Sequence, residues 1–467
     1  MRLAALVVVA ACGDEVSISI TPVLELPSDA EADALPELTQ IRIALEGTRL
    51  ENVVEKGQDI VLADVPLSDD LVLRLDGFSE GQGLAVGRTC PFSLADGNRP
   101  SPRLYFSQIL LTGLLEQQAQ ARLGGLSVTL ADDTVLLVGG EDSSVIERYD
   151  PRTATLVEVA HQPFVGRIGA AIAIFEDGRP AIIGGRINGA PAADALLVSS
   201  SGVVETVLDN TGAVMRSNVS ATSLSDGDIL ITGGRDASDL ASNRITRMRT
   251  KNGVVTLELV NSAALAHARE RHAVTPLGDA GASLLITGGN DGATLIKESE
   301  LYRTNLDERI ALESPKFDLE FPRTGHRTLL LPDETIAIIG GVDAAGNPVR
   351  DIELFSLIDG VVPVPPAQAQ IPIGGPAIDF SLVTMPDGST LMVGGREREG
   401  AAAQDVVTVI LQDVATGNLL LSPRQGLSIP RANPQLSVLC DGTVLISGGT
   451  DQLDFVERYN PNFQPKL

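Results

Sequence analysis

Arginine is the side chain in this sequence whose placement points most directly to chemistry. Arg186, Arg235 and Arg396 each follow directly on a Gly-Gly pair, with Arg398 close by. A second set, Arg122, Arg167, Arg216, Arg323 and Arg431, precedes short apolar runs. A guanidinium offers a planar fork of donors that matches a carboxylate or a phosphate, so recurring arginines could read an acidic ligand. Paired with the chain's own Asp and Glu they would instead staple the fold, and the sequence leaves both readings open. The histidines (His161, His267, His272, His326) and tyrosines (Tyr105, Tyr149, Tyr302, Tyr459) could in principle hold a metal. His272 and His326, however, share one recurring setting, and Tyr149, Tyr302 and Tyr459 share another. Recurring positions read as packing residues, so no catalytic residue, metal ligand or cofactor is expected. The sequence has no His-Glu-x-x-His pair and no phosphate-binding glycine loop. The acidic loops at Glu141-Asp142 and Asn290-Asp291 lack the ligand spacing of a calcium loop.

Composition limits what these residues can serve. In 467 residues, 43% are hydrophobic and 21% charged, the balance of a folded globular protein. The net charge of −26 argues against nucleic acid and against unaided adhesion to anionic lipid. Of the 35 basic residues five are lysine (Lys56, Lys251, Lys297, Lys316, Lys466) and the other 30 arginine. Tryptophan is absent and aromatics make up 3%, which leaves few ring faces on which a sugar could stack.

The elements that position the arginines repeat. From about residue 120, an apolar strand, a turn containing Asp, a second apolar strand and Gly-Gly recur. The pairs begin at Gly139, Gly184, Gly233, Gly288, Gly340, Gly394 and Gly448, spaced 45 to 55 residues apart, the period of one four-stranded propeller blade. The strands before them span 134–138, 180–183, 229–232, 283–287, 335–339, 390–393 and 443–447. The turns carry Asp133, Asp177-Gly178, Asp226-Gly227, Asp279, Asp333, Asp387-Gly388 and Asp441-Gly442. Asp-Gly between apolar strands is a hairpin signal, because Gly accepts the positive φ such turns need. A third strand often carries Glu-x-aromatic, as in Glu147-Arg148-Tyr149, Glu300-Leu301-Tyr302, Glu353-Leu354-Phe355 and Glu457-Arg458-Tyr459.

These seven units resemble the Kelch repeat, in which Gly-Gly ends the second strand and a Tyr lies on the third. The resemblance covers residues 109–467 and departs from the family in lacking the outer-strand Trp. It implies an all-β fold, a seven-bladed Kelch-type β-propeller, in which 110–114 supplies the missing outer strand of the last blade. It also implies that the loop after Gly-Gly and the loop leading into the innermost strand share one face. Arg167, Arg186, Arg216, Arg235, Arg323, Arg396 and Arg431 would then ring one mouth of the channel and suit a carboxylate-bearing or phosphorylated partner. The family's copper oxidases, similar to galactose oxidase, need a Tyr, His and Cys set that this chain does not place.

Ahead of the repeats, residues 13–108 hold short β-rich runs at 16–20, 40–45, 59–62, 71–75, 84–88 and 103–106 separated by turn formers, which suggests a small β-sandwich. Residues 1–12 read as a signal peptide ending in Val9-Ala10-Ala11-Cys12, which resembles the bacterial lipoprotein box. Cys12 would carry the lipid, and Gly13 after it fits outer-membrane sorting. Cys90 and Cys440 remain; an exported compartment permits a disulfide between them, but the sequence does not decide it. The expectation is a monomeric, non-enzymatic outer-membrane lipoprotein of the cell envelope. Its propeller would bind a protein or a small acidic ligand, and only the lipid would touch the membrane. The alternative is an epimerase- or hydrolase-like enzyme with its site at the channel mouth.

Overall fold

The computed structural model describes residues 17–462 apart from 30–32, 34, 96–99, 142, 160–164, 200, 210–211, 252, 279–280, 313–315, 358–359, 363–369, 414–415 and 451–453. Cys12 with its signal sequence, Asp142, His161 and Asp279 lie outside the described residues. Among the described residues the chain is all-β, without an α-helix.

From residue 112 onward the described strands form seven antiparallel sheets of four strands, the second with an added two-residue strand. They are numbered here in chain order, first to seventh. The second strand of each is a continuous apolar run because both of its faces are covered. In Val135–Val138, all four side chains are fully buried. Successive side chains of a strand point to opposite faces, so Val135 and Leu137 pack toward the seventh sheet, while Leu136 and Val138 pack toward the second. The same division holds at Ile336–Ile339, whose side chains split between the fourth and sixth sheets. Seven apolar clusters of this kind fill the gaps between successive sheets, the last lying between the seventh and the first. The first strands (Leu126–Thr129, Ile168–Ile174, Ser220–Ser223, Ala273–Leu277, Arg327–Leu330, Ser381–Thr384 and Gln435–Val438) touch one another in the same cyclic order. The arrangement is consistent with a β-propeller.

The ring closes through chain exchange. The seventh sheet takes its outer strand, Thr112–Ala119, from ahead of the first sheet and pairs it antiparallel with Asp454–Tyr459. This is the closure expected from 110–114, shifted toward the C-terminus. The exchange completes the seventh sheet, so the ring keeps only the short outer edges of its four-stranded sheets.

Residues ahead of the ring form a five-stranded sheet (Gln40–Leu45, Glu51–Glu55, Leu73–Ser79, Gln82–Arg88, Ser107–Gln108) and three two-stranded sheets. One core holds them, with Ile43, Leu73, Leu75 and Phe106 fully buried. The run expected at 59–62 pairs instead as Leu62–Pro66 against Ser17–Ile20. This unit is fastened to the seventh sheet at several places, among them the Ser28 N–H to the Leu114 carbonyl at 2.8 Å and the Leu114 N–H to Asp29 Oδ1 at 2.9 Å. Cys90 and Cys440 form a disulfide. Asn460 Nδ2 donates to the Val86 and Ser107 carbonyls at 2.9 and 3.0 Å. Arg458, fully buried, pairs with both Glu25 (3.1 Å) and Asp441 and lies 4.5 Å from the Tyr105 ring centroid.

Candidate functional site

The lead-in to each innermost strand is built around one position. Arg122, Arg167, Arg216, Arg269, Arg323 and Arg431 occupy it in six sheets, and Ala377 in the sixth. Each of these arginines donates Nη1 to the carbonyl of the first glycine of its own Gly-Gly pair, at 2.5 to 3.3 Å. In four sheets the other arm meets a third-strand glutamate. Arg122 pairs with Glu147 at 2.7 Å, Arg269 with Glu300 and Arg323 with Glu353 at 2.5 Å, and Arg431 with Glu457 at 3.0 Å. Arg167 takes Asp194 at 2.9 Å. Arg216 meets only the Thr246 hydroxyl and carbonyls; burial, with Arg244 nearby, pushes its pKa down to about 10. The backbone carbonyl at the same position accepts the N–H of the second glycine of the preceding pair, as in Gly234 to Arg269 at 2.9 Å and Gly289 to Arg323 at 3.0 Å. One residue thus fastens its own sheet through its side chain and the preceding sheet through its backbone.

This corrects the expectation of an arginine-ringed mouth. Arg216, Arg323 and Arg431 have no exposed surface and Arg167 only 3%, so no ligand can reach them. Glycine carbonyls at the crowded axis lack strand partners, and a buried carbonyl needs a donor; the guanidinium supplies it. Arg186, Arg235 and Arg396 do lie at the surface of this face, but each is engaged. Arg186 bonds Asp239 at 2.8 Å, Arg235 bonds Glu270 and Asp239, and Arg396 lies 3.7 Å from Asp379.

Two residues beyond each lead-in position the backbone turns left-handed in all seven sheets: Gly124, Gly169, Asn218, Arg271, Gly325, Asp379 and Asn433. These seven encircle a cavity of 500 Å³ at the centre of the ring, within the size range of small-molecule sites. Further out on the same face, a depression of 630 Å³ adjoins it, sharing Ile168, Gly169 and Asn218 and reaching Arg186 and Ser217. The cavity wall includes Arg271 and Arg327, which the recurring-arginine pattern passed over. The signal was their failure to recur: the other sheets carry Gly, Asn or Asp where Arg271 stands.

Glu270 and His272, beside the cavity, are each held in one state. Although burial opposes it, hydrogen bonds from Arg235 and Asn218 keep the Glu270 carboxyl below its ordinary range and therefore ionised. Burial, reinforced by Arg269 and Arg216, pushes His272 down to about 3, so its ring is neutral at physiological pH. His272 and His326 bond Thr232 and Thr287 of the preceding sheets at 2.9 and 3.1 Å. Tyr149, Tyr302, Tyr459 and Phe355 are fully buried between sheets. Among the described residues no group of three His, Cys, Asp or Glu side chains could hold a metal ion. The run Gly77-Phe78-Ser79-Glu80-Gly81 spells Gly-x-Ser-x-Gly, but it turns a hairpin between Leu73–Ser79 and Gln82–Arg88 with no helix after it. A nucleophile elbow requires a strand-to-helix turn.

No family model matches the chain, and no curated protein matches it. Among solved structures, that of YjhT superposes with a TM-score of 0.48 at 13% sequence identity, covering 66% of this chain and 99% of that one.

Proposed function

We propose that residues 109–467 form a seven-bladed Kelch-type propeller behind a β-sandwich-like domain at 13–108, and that the protein is a non-enzymatic binding scaffold. In this reading Cys12 anchors it as an outer-membrane lipoprotein, and the face carrying the Gly-Gly loops holds a ligand or protein. The observation that carries the reading is the cavity at the ring centre, walled by the lead-in residues of all seven sheets. It is concave, and its surroundings favour binding over turnover. Glu270 is ionised and tied to Arg235, His272 is neutral and tied to Thr232, and Asp379 faces Arg396. A general acid or base needs a proton that is free to move near neutral pH.

The test pairs a thermal-shift screen of the intact protein with product analysis of every compound that shifts it. The compounds are copper, calcium, simple sugars, sugar phosphates and acidic peptides. A ligand at a hundred times its dissociation constant adds about 2.7 kcal/mol. A shift without conversion supports the scaffold, whereas conversion of any compound overturns it in favour of the enzyme. The anchor is tested apart: Cys12→Ser should move the protein from the membrane fraction to the soluble one, and retention in the membrane would refute lipidation.

A further inference from the structure

Of the seven left-handed positions around the cavity, three are Gly and three are Asn or Asp, the residues that accept a positive φ most readily. Arg271 is the exception, with φ 50°. A long side chain held in that region is a departure from which function can be inferred. The Arg271 guanidinium reaches over the neighbouring lead-in, where a β-carbon on Gly325 would sit 3.1 Å from its Nη2. Gly325 therefore leaves the space that Arg271 occupies. Among the described residues, no hydrogen bond engages this guanidinium and no carboxylate lies within 4 Å of it. Glu270, its neighbour in sequence, is turned away to Arg235 and Asn218.

Arg327 stands on the innermost strand of the next sheet and lines the same cavity. Its Nη2 donates to Asn433 Oδ1 at 3.1 Å and its Nε to the Phe380 carbonyl at 3.3 Å. It too has no carboxylate within ion-pair distance among the described residues. Burial pushes its pKa below the ordinary value, Asp379 opposes that, and Arg271 adds to it. Asp379 lines the cavity beside Arg327 and offsets part of this charge, but neither guanidinium is salt-bridged to an acid among the described residues, and the unengaged Arg271 fork in a concave site can receive an anion.

We propose that Arg271 and Arg327 hold the carboxylate of a small molecule in the channel mouth. Arg271 offers its free fork to the two carboxylate oxygens. Arg327, steadied by Asn433, supplies the second positive wall, and the Asn218 side chain at the rim meets polar groups of the ligand. The inference rests on the reading of this face as a binding face and names the chemistry it takes.

The test is calorimetric titration of the intact protein, at low and moderate salt, with small mono- and dicarboxylates, each beside its uncharged amide, and with inorganic phosphate. At least one carboxylate should bind, its amide should bind more than tenfold more weakly, and phosphate should not compete with it. Arg271→Asn, whose side chain tolerates the left-handed backbone, should weaken carboxylate binding at least tenfold and leave the melting temperature unchanged. Gly325→Ala, which keeps both arginines but crowds Arg271, should weaken it as well, whereas the remote Arg303→Gln should not. Equal binding of acid and amide, displacement by phosphate, or undiminished binding in Arg271→Asn overturns the inference. If Arg271→Asn keeps every ligand found in the thermal screen, the inference falls and the binding scaffold stands. If no compound of either panel binds, the inference falls and the scaffold reading keeps only a protein as its partner.

Discussion

At the scale of the residue, the arginines divide by whether they recur. Those that recur are structural: Arg323 and Arg431 are fully buried, and each closes on a buried glutamate and a glycine carbonyl. Removing one partner of a buried pair leaves an uncompensated charge and costs about 3–5 kcal/mol. The sixth sheet is a natural control, since Ala377 stands at the arginine position and Thr408, opposite Met392, at the glutamate position, with both partners replaced together. Arg323→Ala should therefore destabilise the fold by about 3–5 kcal/mol, and adding Glu353→Thr should restore a large part of the loss. Chemical denaturation of the two variants checks this; a double variant no better than the single would mean that the pair is replaceable one partner at a time. Arg271 and Arg327 do not recur, and a residue kept for a ligand need not. Recurrence was legible in the sequence, but which set it assigned to structure was not, because burial depends on which way the lead-in turns.

At the scale of the element, the Gly-Gly pairs decide how closely sheets approach the axis. Gly288 has φ 54°, and a β-carbon there would lie 2.6 Å from the Arg323 carbonyl of the next sheet. Gly346, at φ 79° in an open loop, has nothing within 4 Å of such a carbon. Both alanine variants carry the left-handed cost of about 1–2 kcal/mol, but only Gly288→Ala also pushes two sheets apart. Thermal melts should show Gly346→Ala mildly and Gly288→Ala severely destabilised, and equal losses would remove close approach as the reason for the pair. The second strands were readable to within a few residues, Ile229–Thr232, Ser283–Thr287 and Thr390–Val393 as expected, because a strand covered on both faces must be apolar throughout. Outside the fourth sheet, whose Asp279 is not among the described residues, the turns followed as well, opening on an Asp that accepts the N–H two residues on, as Asp333 does from Thr335 and Asp441 from Thr443. In the first sheet that Asp is Asp132, and Asp133 takes the left-handed place instead. The strands ahead of the ring were less legible. Val23–Glu25 and Arg103–Tyr105 pair in parallel across some eighty residues, and no local pattern encodes such a partner.

At the scale of the whole molecule, the disulfide Cys90–Cys440 spans 350 residues, a separation at which a cross-link should restrict the unfolded chain strongly. In the folded ring, Thr112–Ala119 already pairs with Asp454–Tyr459 and closes nearly the same loop, so the disulfide is not what holds the ring shut. Its distinct task is to hold the unit ahead of the ring against the seventh sheet, alongside Asn460 and the Arg458 cluster. Cys90→Ser should cost about 2–5 kcal/mol, the range for a native disulfide. Hydrogen exchange should rise in the strands of 17–108 while the second strands of the seven sheets stay protected. Loss of protection throughout the ring would instead make the disulfide its fastener.

The exchange of Thr112–Ala119 into the seventh sheet also sets when this protein can exist. Synthesis delivers Thr112–Ala119 more than 300 residues ahead of Asp454–Tyr459, so the outer strand waits, unpaired, while every strand between them is made. Until the final strand emerges, the nascent chain carries an open β-edge and an uncovered apolar flank on its first sheet, both of them invitations to aggregation. A product truncated before Asp454 has lost the partner of its own beginning, and would survive only as long as a chaperone shields both ends.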